Sequence, residues 1–362
     1  MTISDRFLAW QRAQGIEPGS HVRSSGMKVK RGAEILEGPY PKSFDEFIGQ
    51  EVARSQIEAA VATAEVLSKP MDHMLLASGY PGVGKTALAR LTAFTLGTGM
   101  VELSGLVTDK DAAKALKSMV DGDVLFIDEI HRLVGFGKSR AEWLLTLLQD
   151  GELHMPTGVI TAPKITVIAA TTDKEKLPQT ILDRFVIQPI LEQYSDAEGK
   201  EIALFQAKRL GFGVPRLPLP GKDQWLSEVT QAAKNNPRRI GQVLTTVRDV
   251  ALSSKLANLS DQGYDLTKAL KWLGLTSDGI TRGGQDYLLG LLAYGGIAGA
   301  TTIKALLNEE QLAHTERDLI QEGYVAVTPR GRMLTDYGED RARQLADERM
   351  ETPALATTRG TS

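Results

Sequence analysis

Cysteine is absent from the 362 residues of this sequence, which excludes disulfide bonds, thiolate metal sites and cysteine nucleophiles. Histidine is scarce, and its 5 residues are scattered without the spacing of a metal site. An excess of one charge is also missing, because 42 basic residues nearly balance 45 acidic ones and leave a net charge of −3. No global positive field therefore favours nucleic acid, and any contact with it must be local.

Long hydrophobic runs are lacking as well. The longest, from Leu288 to Ala300, is too short and too rich in glycine to span a bilayer. The first residues lack the apolar core of a signal peptide. We therefore expect a cytoplasmic protein with no membrane partner. Its composition, 42% hydrophobic and 24% charged, is that of an ordinary globular protein with about two or three domains.

Residues 79–86 read Gly-Tyr-Pro-Gly-Val-Gly-Lys-Thr and fit the phosphate-binding pattern G-x-x-x-x-G-K-[ST]. Glycines let the backbone curl until successive N–H groups face phosphate oxygens. Lys85 can reach the outer phosphates, and the Thr86 hydroxyl can ligate Mg²⁺. An apolar strand precedes the loop and a helix to Leu96 follows it, which places an anion at a helix N-terminus. The pattern predicts nucleotide binding.

A second apolar segment, residues 123–127, ends in the carboxylates Asp128 and Glu129. The first can hold Mg²⁺ and the second can orient or deprotonate an attacking water. Phosphoryl transfer also needs positive charge at the γ-phosphate, for which Arg184 and the arginines of 236–239 are candidates. Thr171 and Thr172, which end another strand, are candidates for a hydrogen bond to the γ-phosphate or the water.

Strands and helices alternate along the first half of the chain. The apolar runs that we interpret as strands are 73–77, 100–104, 124–127, 164–170 and 185–190. Strands joined by helical crossovers predict a parallel five-stranded sheet with helices on both faces. Ligands in such sheets bind at the carboxyl ends of the strands, where the phosphate loop lies.

The other segments predict smaller units around this α/β domain. Helical periodicity predominates after Ser195, and three helices followed by a hairpin near the C-terminus are typical of a winged helix. A short amphipathic helix is predicted for 3–14, and the basic stretch 20–32 is predicted to be a loop. The predicted division is a flexible N-terminal extension (1–38), a large α/β nucleotide-binding domain (39–193), a small helical domain (194–266), a winged-helix domain (267–345) and a disordered tail (346–362).

Together these residues resemble AAA+ ATPases and, most closely, the RuvB family of Holliday-junction branch-migration motors. The similar segments occur in the family's order over about 41–335, and they are 41–50, the phosphate loop, 122–133, 169–172, 183–185, 237–238, 247–249 and 327–332. The resemblance implies an α/β P-loop AAA+ domain, a small α-helical lid domain and a C-terminal winged-helix domain. It also implies ATP and Mg²⁺ as cofactors.

The resemblance further implies individual roles. Glu129 matches the catalytic glutamate, Thr172 the sensor at a strand end, and Arg184 a finger that acts in trans on a neighbouring subunit's ATP. A trans-acting arginine implies a ring, expected to be a homo-hexamer. Asp128 and Thr86 are the expected metal ligands. The expected nucleotide-binding residues are Ile48, Gly82, Val83, Gly84, Lys85, Thr86, Ala87, Tyr194, Pro237 and Arg238.

The function implied is ATP-driven branch migration in recombination and repair, with Arg330 and Arg332 contacting duplex or branched DNA from a hairpin tip at 328–332. The segment between Asp150 and Ile165 is shorter than in RuvB, which argues against docking of a junction-recognising RuvA-like partner. Leu182 also replaces an arginine of the family. Two alternatives stay open: a loader or remodeller of a helicase or clamp, and a nucleotide-switched DNA-binding protein with negligible hydrolysis.

Overall fold

The computed structural model describes residues 28–351, except 39, 105–106, 136–137, 156–157, 214–221, 257–263 and 307–308. The helix predicted for 3–14 and the last 11 residues of the predicted tail, 352–362, lie outside the described residues. The chain divides into two compact units. The first consists of Met1–Leu219 and Asn235–Leu244, and the second of Pro220–Lys234 and Thr245–Ser362. The predicted domain boundaries stay predictions.

The first unit contains a five-stranded sheet in the order β1-β3-β4-β7-β2. Its strands are β1 (Lys28–Lys30), β2 (Met74–Ala77), β3 (Met100–Ser104), β4 (Val124–Asp128) and β7 (Thr166–Thr171). The pairs β3–β4, β4–β7 and β7–β2 are parallel, as predicted. Every residue of β2 and β7 is buried, because helices cover both faces of a parallel sheet.

Both edges of the sheet differ from the prediction. Residues 185–190 make only isolated parallel bridges to β2, at Ile187 and Ile190. Pro189 lies between them and has no N–H to continue the ladder. At the other edge, β1 is antiparallel to β3, so the prediction of a loop over 20–32 is wrong for Lys28–Lys30.

Helices of the first unit follow the predicted crossovers. They are α1 (Glu51–Leu67), α2 (Lys85–Thr95), α3 (Asp109–Lys117), α4 (His131–Gly135), α5 (Lys138–Asp150), α6 (Gln179–Leu182) and α7 (Asp196–Arg209), with short 3₁₀ turns at Gly32–Leu36 and Lys174–Lys176. Strands β5 (Glu152–Met155) and β6 (Gly158–Thr161) form a small separate hairpin in the shortened segment between Asp150 and Ile165. A core that includes Leu75, Leu125 and Trp143 packs against the sheet.

In the second unit, helices surround a three-stranded sheet. The helices from α8 onward are α8 (Lys222–Ala233), α9 (Pro237–Leu256), α10 (Leu266–Leu273), α11 (Arg282–Ala293), α12 (Ala300–Leu306), α13 (Glu309–Gln321) and α14 (Asp336–Glu351). The first part of α9, residues 237–244, belongs to the first unit. The sheet order is β8-β10-β9, from β8 (Ile297–Ala298), β9 (Val325–Thr328) and β10 (Gly331–Leu334). Three helices followed by this hairpin form a winged helix around Tyr287, Leu288 and Leu319.

Two predictions for this unit need correction. The hairpin turn is shorter than predicted, so Arg332 lies within β10, opposite Val327, rather than in the turn. Residues 346–351 of the predicted disordered tail are the last turns of α14. Within the part of the chain that the structure describes, no helix combines the length and apolar character needed to cross a membrane.

Candidate functional site

The phosphate loop joins β2 to α2 at the carboxyl edge of the sheet. Gly82 and Gly84 have φ values of 77° and 105°, in the left-handed region that favours glycine. Gly84 is the N-cap of α2, and no side chain caps that helix. The N–H groups of Lys85, Thr86 and Ala87 are therefore first-turn donors without intrahelical acceptors, which is the arrangement that binds phosphate at a helix N-terminus.

Two aromatic side chains, Phe47 and Tyr194, lie against the phosphate loop. The Tyr194 hydroxyl donates to the Val83 carbonyl oxygen at 3.0 Å, and the ring is buried. A Cβ added at Gly84 would lie 3.0 Å from Phe47 Cζ and 3.3 Å from the Tyr194 hydroxyl oxygen, which adds crowding to a φ that already favours glycine. Half-buried Ile48 follows Phe47 in the segment before α1. The structure thus brings Tyr194 to the loop itself.

Asn236 joins the loop to the start of α9. Its Nδ2 donates to the Pro81 carbonyl oxygen at 2.6 Å, and its Oδ1 accepts from the backbone N–H groups of Arg238 at 3.0 Å and Arg239 at 3.2 Å. A Cβ at Gly82 would come within 2.6 Å of this Oδ1. Pro237 is the first residue of α9, and the Arg238 side chain is exposed. Sequence reasoning missed Asn236, although asparagine before a proline is a recognisable helix N-cap signal.

Burial perturbs the two charged groups nearest the loop. Loss of solvation lowers the pKa of Lys85, although Glu129 and Asp128 oppose this shift. Loss of solvation also raises the pKa of Asp128, and the adjacent Glu129 carboxylate adds to the increase. Lys85 Nζ donates to the Tyr80 carbonyl oxygen across the loop at 3.3 Å. The lysine and both carboxylates therefore interact electrostatically at one edge of the sheet.

Glu129 immediately follows β4 and has a left-handed backbone, with φ of 51°. Its Oε2 accepts from the Thr172 backbone N–H at 3.2 Å and from the Thr172 hydroxyl at 3.0 Å. The structure thus places the predicted base beside Thr172 of the neighbouring strand end. Thr171 is fully buried, and its hydroxyl oxygen lies 3.0 Å from His131 Nδ1 instead.

The donor set matches ATP with magnesium. At Gly82 and Gly84 a Cβ would crowd neighbouring side chains, so the backbone of the loop is accessible. The helix N-terminus presents free N–H groups to phosphate. Thr86 and Asp128 offer a hydroxyl and a carboxylate oxygen, the hard ligands that Mg²⁺ takes together with phosphate oxygens and water. Among the described residues no group of three or more His, Cys, Asp or Glu could hold a metal ion.

Three predicted arginines lie on other parts of their units. Arg184 is exposed after α6 and donates through Nη2 to Gln149 Oε1 at 2.7 Å. Arg330 is exposed in the turn between β9 and β10. Arg332 forms an ion pair with Glu316 of α13, so its guanidinium packs back onto the winged helix instead of projecting from a tip as predicted.

Comparisons with known proteins agree with this fold. The protein-family model of the Holliday junction DNA helicase RuvB P-loop domain matches residues 40–191. The family model of the RuvB C-terminal winged helix domain matches residues 277–341. The Holliday junction branch migration complex subunit RuvB of Fusobacterium nucleatum subsp. nucleatum is 31% identical over 326 residues, covering 86% of this chain and 94% of that protein.

Solved structures give the same answer in three dimensions. The Holliday junction branch migration motor RuvB of Thermotoga maritima is 30% identical, with a TM-score of 0.70 over 84% of this chain and 98% of that one. A single-substitution variant of the same protein matches 85% and 99% of the two chains at the same TM-score. Because the similarity runs through both the phosphate-loop unit and the winged helix at nearly full length, the chain belongs to the RuvB family.

Proposed function

We propose that this chain is an ATP-driven motor that moves the branch point of Holliday junctions, working as a homo-hexameric ring in recombination and repair. The observation that carries the proposal is the convergence of the phosphate loop, Asp128, Glu129 and Thr172 at one sheet edge, in a chain that also has the family's winged helix. Its place of action is the cytoplasm, where ATP and its DNA substrate meet.

Hydrolysis transfers the γ-phosphoryl group to water. The N–H groups of the loop hold the phosphates, and Lys85 contributes positive charge to the outer oxygens. Glu129 accepts a proton from the water while the water oxygen bonds to the γ-phosphorus and the bond between that phosphorus and ADP breaks. Thr86 and Asp128 would hold magnesium, which supplies further positive charge when bound.

The remaining nucleotide contacts are assigned to residues around the loop. Thr172, fixed against Glu129, is placed to respond to the γ-phosphate. Arg184 completes the site of a neighbouring subunit. Arg238 is the second sensor, supported by its position beside Asn236 at the start of α9. The adenine pocket is assigned to Ile48, Tyr194 and Pro237.

DNA contact is assigned to the wing. Arg330 lies exposed in a tight turn, where none of the hydrogen bonds or ion pairs between described residues holds its guanidinium back from phosphate. Arg332 would have to exchange Glu316 for DNA, so we assign it the smaller share. A ring multiplies such contacts, which reconciles DNA binding with a net charge of −3. Docking of a RuvA-like partner would have to use the small β5–β6 hairpin.

The experiment is ATP-dependent processing of a synthetic four-way junction, compared with a linear duplex of the same sequence. The purified protein is assayed alone and then with a junction-recognising partner. We expect branch migration that requires ATP and magnesium. ATP turnover stimulated by DNA but without migration in either setting would contradict the motor assignment.

Glu129→Gln is the control variant. It removes the proton acceptor but keeps the shape of the side chain, so nucleotide binding should persist while turnover is lost. Retained turnover in this variant would show that Glu129 is not the base.

A further inference from the structure

His131 links the ends of two neighbouring parallel strands. Its Nδ1 lies 3.2 Å from Glu129 Oε2 and 3.0 Å from the Thr171 hydroxyl oxygen. Its Nε2 lies 3.6 Å from Asp173 Oδ2. The side chain is only 12% exposed. One imidazole thus touches the residue after β4 and two residues at the end of β7.

The backbone already fixes these strand ends to each other. Strands β4 and β7 pair in parallel through Ile127 and Ala169, and the Ile130 N–H donates to the Ala170 carbonyl oxygen at 2.9 Å. The Asp173 N–H donates to the Thr171 hydroxyl oxygen at 3.0 Å. Because these hydrogen bonds hold the backbone of both strand ends, the direction of the Glu129 carboxylate depends on the contacts of its side chain.

The position of the imidazole proton decides what His131 can hold. With the proton on Nδ1, the ring donates to the Glu129 carboxylate or to the Thr171 hydroxyl. With the proton on Nε2, the ring faces Asp173, and Nδ1 becomes an acceptor that repels Glu129 Oε2. Burial lowers the pKa of His131 while Glu129 and Asp173 oppose the shift, so a neutral ring is the relevant form at pH 7.

With the proton on Nδ1, Glu129 Oε2 is surrounded by donors. The Thr172 N–H and hydroxyl approach it from β7, and His131 Nδ1 approaches it from α4. Donors from two elements fix a planar carboxylate better than donors from one, because rotation about its last bond would break both sets. None of the hydrogen bonds between described residues involves the other oxygen, Oε1, which can accept a proton from water.

We propose that His131 is a positioning residue for ATP hydrolysis, whose Nδ1–H holds the Glu129 carboxylate in register with Thr172 at the ends of β4 and β7. The inference rests on the proposed function, because it acts through Glu129. It assigns to His131 no contact with nucleotide. Losing this contact should therefore slow the chemical step and leave nucleotide binding intact.

Three substitutions separate a positioning role from simple packing. In His131→Asn the amide nitrogen occupies the place of Nδ1, whereas in His131→Gln it approaches the place of Nε2, and His131→Ala removes both. We expect His131→Ala and His131→Gln to lower kcat by about ten- to a hundredfold with KM for ATP nearly unchanged. His131→Asn should recover most of the loss.

Steady-state ATP hydrolysis and binding of a fluorescent ATP analogue give the two readouts, and thermal unfolding checks folding. Gln224→Ala is the control, because that side chain is exposed on α8 and donates to Glu228 Oε1 at 3.1 Å. It should retain wild-type turnover. Should His131→Ala fail to fold, the comparison of His131→Asn with His131→Gln still decides the matter.

Equal kcat for the asparagine and glutamine variants, or wild-type kcat for the alanine variant, would overturn the inference. The two proposals fail differently. DNA-stimulated turnover without junction migration removes the motor assignment but not the role of His131. Turnover that survives Glu129→Gln removes the assignment of the base and, with it, the role of His131. Turnover that Glu129→Gln abolishes but that no His131 substitution affects removes only the role of His131.

Discussion

Asn236 does two jobs with one side chain. Its amide nitrogen binds the Pro81 carbonyl oxygen of the phosphate loop, while its amide oxygen accepts from the first turn of α9. Helix capping and loop anchoring therefore depend on the same rotamer. The close approach also explains why Gly82 has no room for a Cβ.

Asn236→Ala should separate these two effects. Loss of an N-cap costs about 1 kcal/mol of stability, and release of Pro81 should weaken ATP binding in addition. Thermal unfolding and nucleotide titration measure the two. Asp265→Ala is the matched control, since Asp265 caps α10 through the Lys268 N–H at 2.8 Å but is not part of the nucleotide site. Equal ATP affinity in the two variants would contradict a role for Asn236 in the loop.

Asp128 illustrates a conflict between stability and activity at a single residue. Burial, with help from Glu129, raises its pKa, so the folded state disfavours the carboxylate relative to the unfolded chain. The resulting penalty is fully present above the folded-state pKa. It fades as the pH falls through that value and disappears below the unfolded-state pKa.

Asp128→Asn should therefore stabilise the nucleotide-free protein while abolishing turnover. The gain in Tm should be largest near pH 8 and should disappear toward about pH 4. Melting curves across this range, without nucleotide, test the sign. A variant that is less stable than wild type at high pH would show that the carboxylate is stabilised in the fold. A substitution that stabilises the fold and abolishes activity indicates that the native residue serves function at a cost in stability.

At the level of elements, Arg31 anchors the edge strand β1. It donates to both carboxylate oxygens of buried Asp123, at 3.1 and 2.9 Å. Asp123 also accepts from the N–H groups of Gly99 at 2.9 Å and Val120 at 3.1 Å. This carboxylate thus joins β1, the start of β3 and the turn before β4.

Arg31→Ala leaves the Asp123 charge buried without its cation. Breaking a buried pair from one side costs about 3 kcal/mol, which chemical denaturation can measure. Arg248→Ala serves as the control, because Arg248 pairs with its exposed neighbour Asp249 and should cost far less. Adding Asp123→Asn should recover part of the loss. A double variant as unstable as the sum of the singles would contradict direct coupling.

We expect two nearby arginines of the wing to differ in role, with Arg330 contacting DNA and Arg332 stabilising the fold. Arg330→Ala should weaken DNA binding without affecting stability and reduce the salt slope by about 1. Arg332→Ala should instead destabilise the second unit, because Glu316 and the Tyr287 hydroxyl that donates to it at 3.2 Å lose their cation. DNA titrations at several salt concentrations, beside melting curves, would reveal the reverse pattern if the assignment is wrong.

These elements show what the sequence could and could not predict. The four parallel strands were predictable because each is an apolar run followed by a crossover helix. Strand β1 was not, since Lys-Val-Lys carries no such pattern and its anchor, Asp123, is 92 residues away. In the site, Lys85, Asp128 and Glu129 followed from local motifs. The bonds of Thr172, Asn236 and Arg332 depend on segments that only folding brings together.

For the whole molecule, the place of Arg184 bears on assembly. Its described hydrogen bond is to Gln149 at the end of α5, and none of the hydrogen bonds between described residues joins it to Lys85, Asp128 or Glu129. A γ-phosphate at the loop of the same chain receives the charge of Lys85, and we expect the further positive charge of an arginine to come from elsewhere. A ring supplies it when each subunit presents Arg184 to the site of its neighbour, through a heterologous interface that closes by rotation.

Mixing two inactive variants tests this arrangement. Rings of Glu129→Gln lack the proton acceptor and rings of Arg184→Ala lack the finger, so each alone should hydrolyse ATP very slowly. In a mixed ring, an Arg184→Ala subunit keeps Glu129 and receives Arg184 from a Glu129→Gln neighbour. A random equal mixture has this productive pairing at about a quarter of its interfaces, so turnover should reappear on mixing.

The readout is ATP hydrolysis against the ratio of the two variants at fixed total protein. Activity should peak near equal amounts and be absent at either end. If Arg184 acted on its own subunit, every Arg184→Ala subunit would lack the finger and every Glu129→Gln subunit would lack the base, so no ratio would restore turnover. A flat profile in mixtures that still exchange subunits would therefore refute the trans arrangement, and with it the reason for a ring.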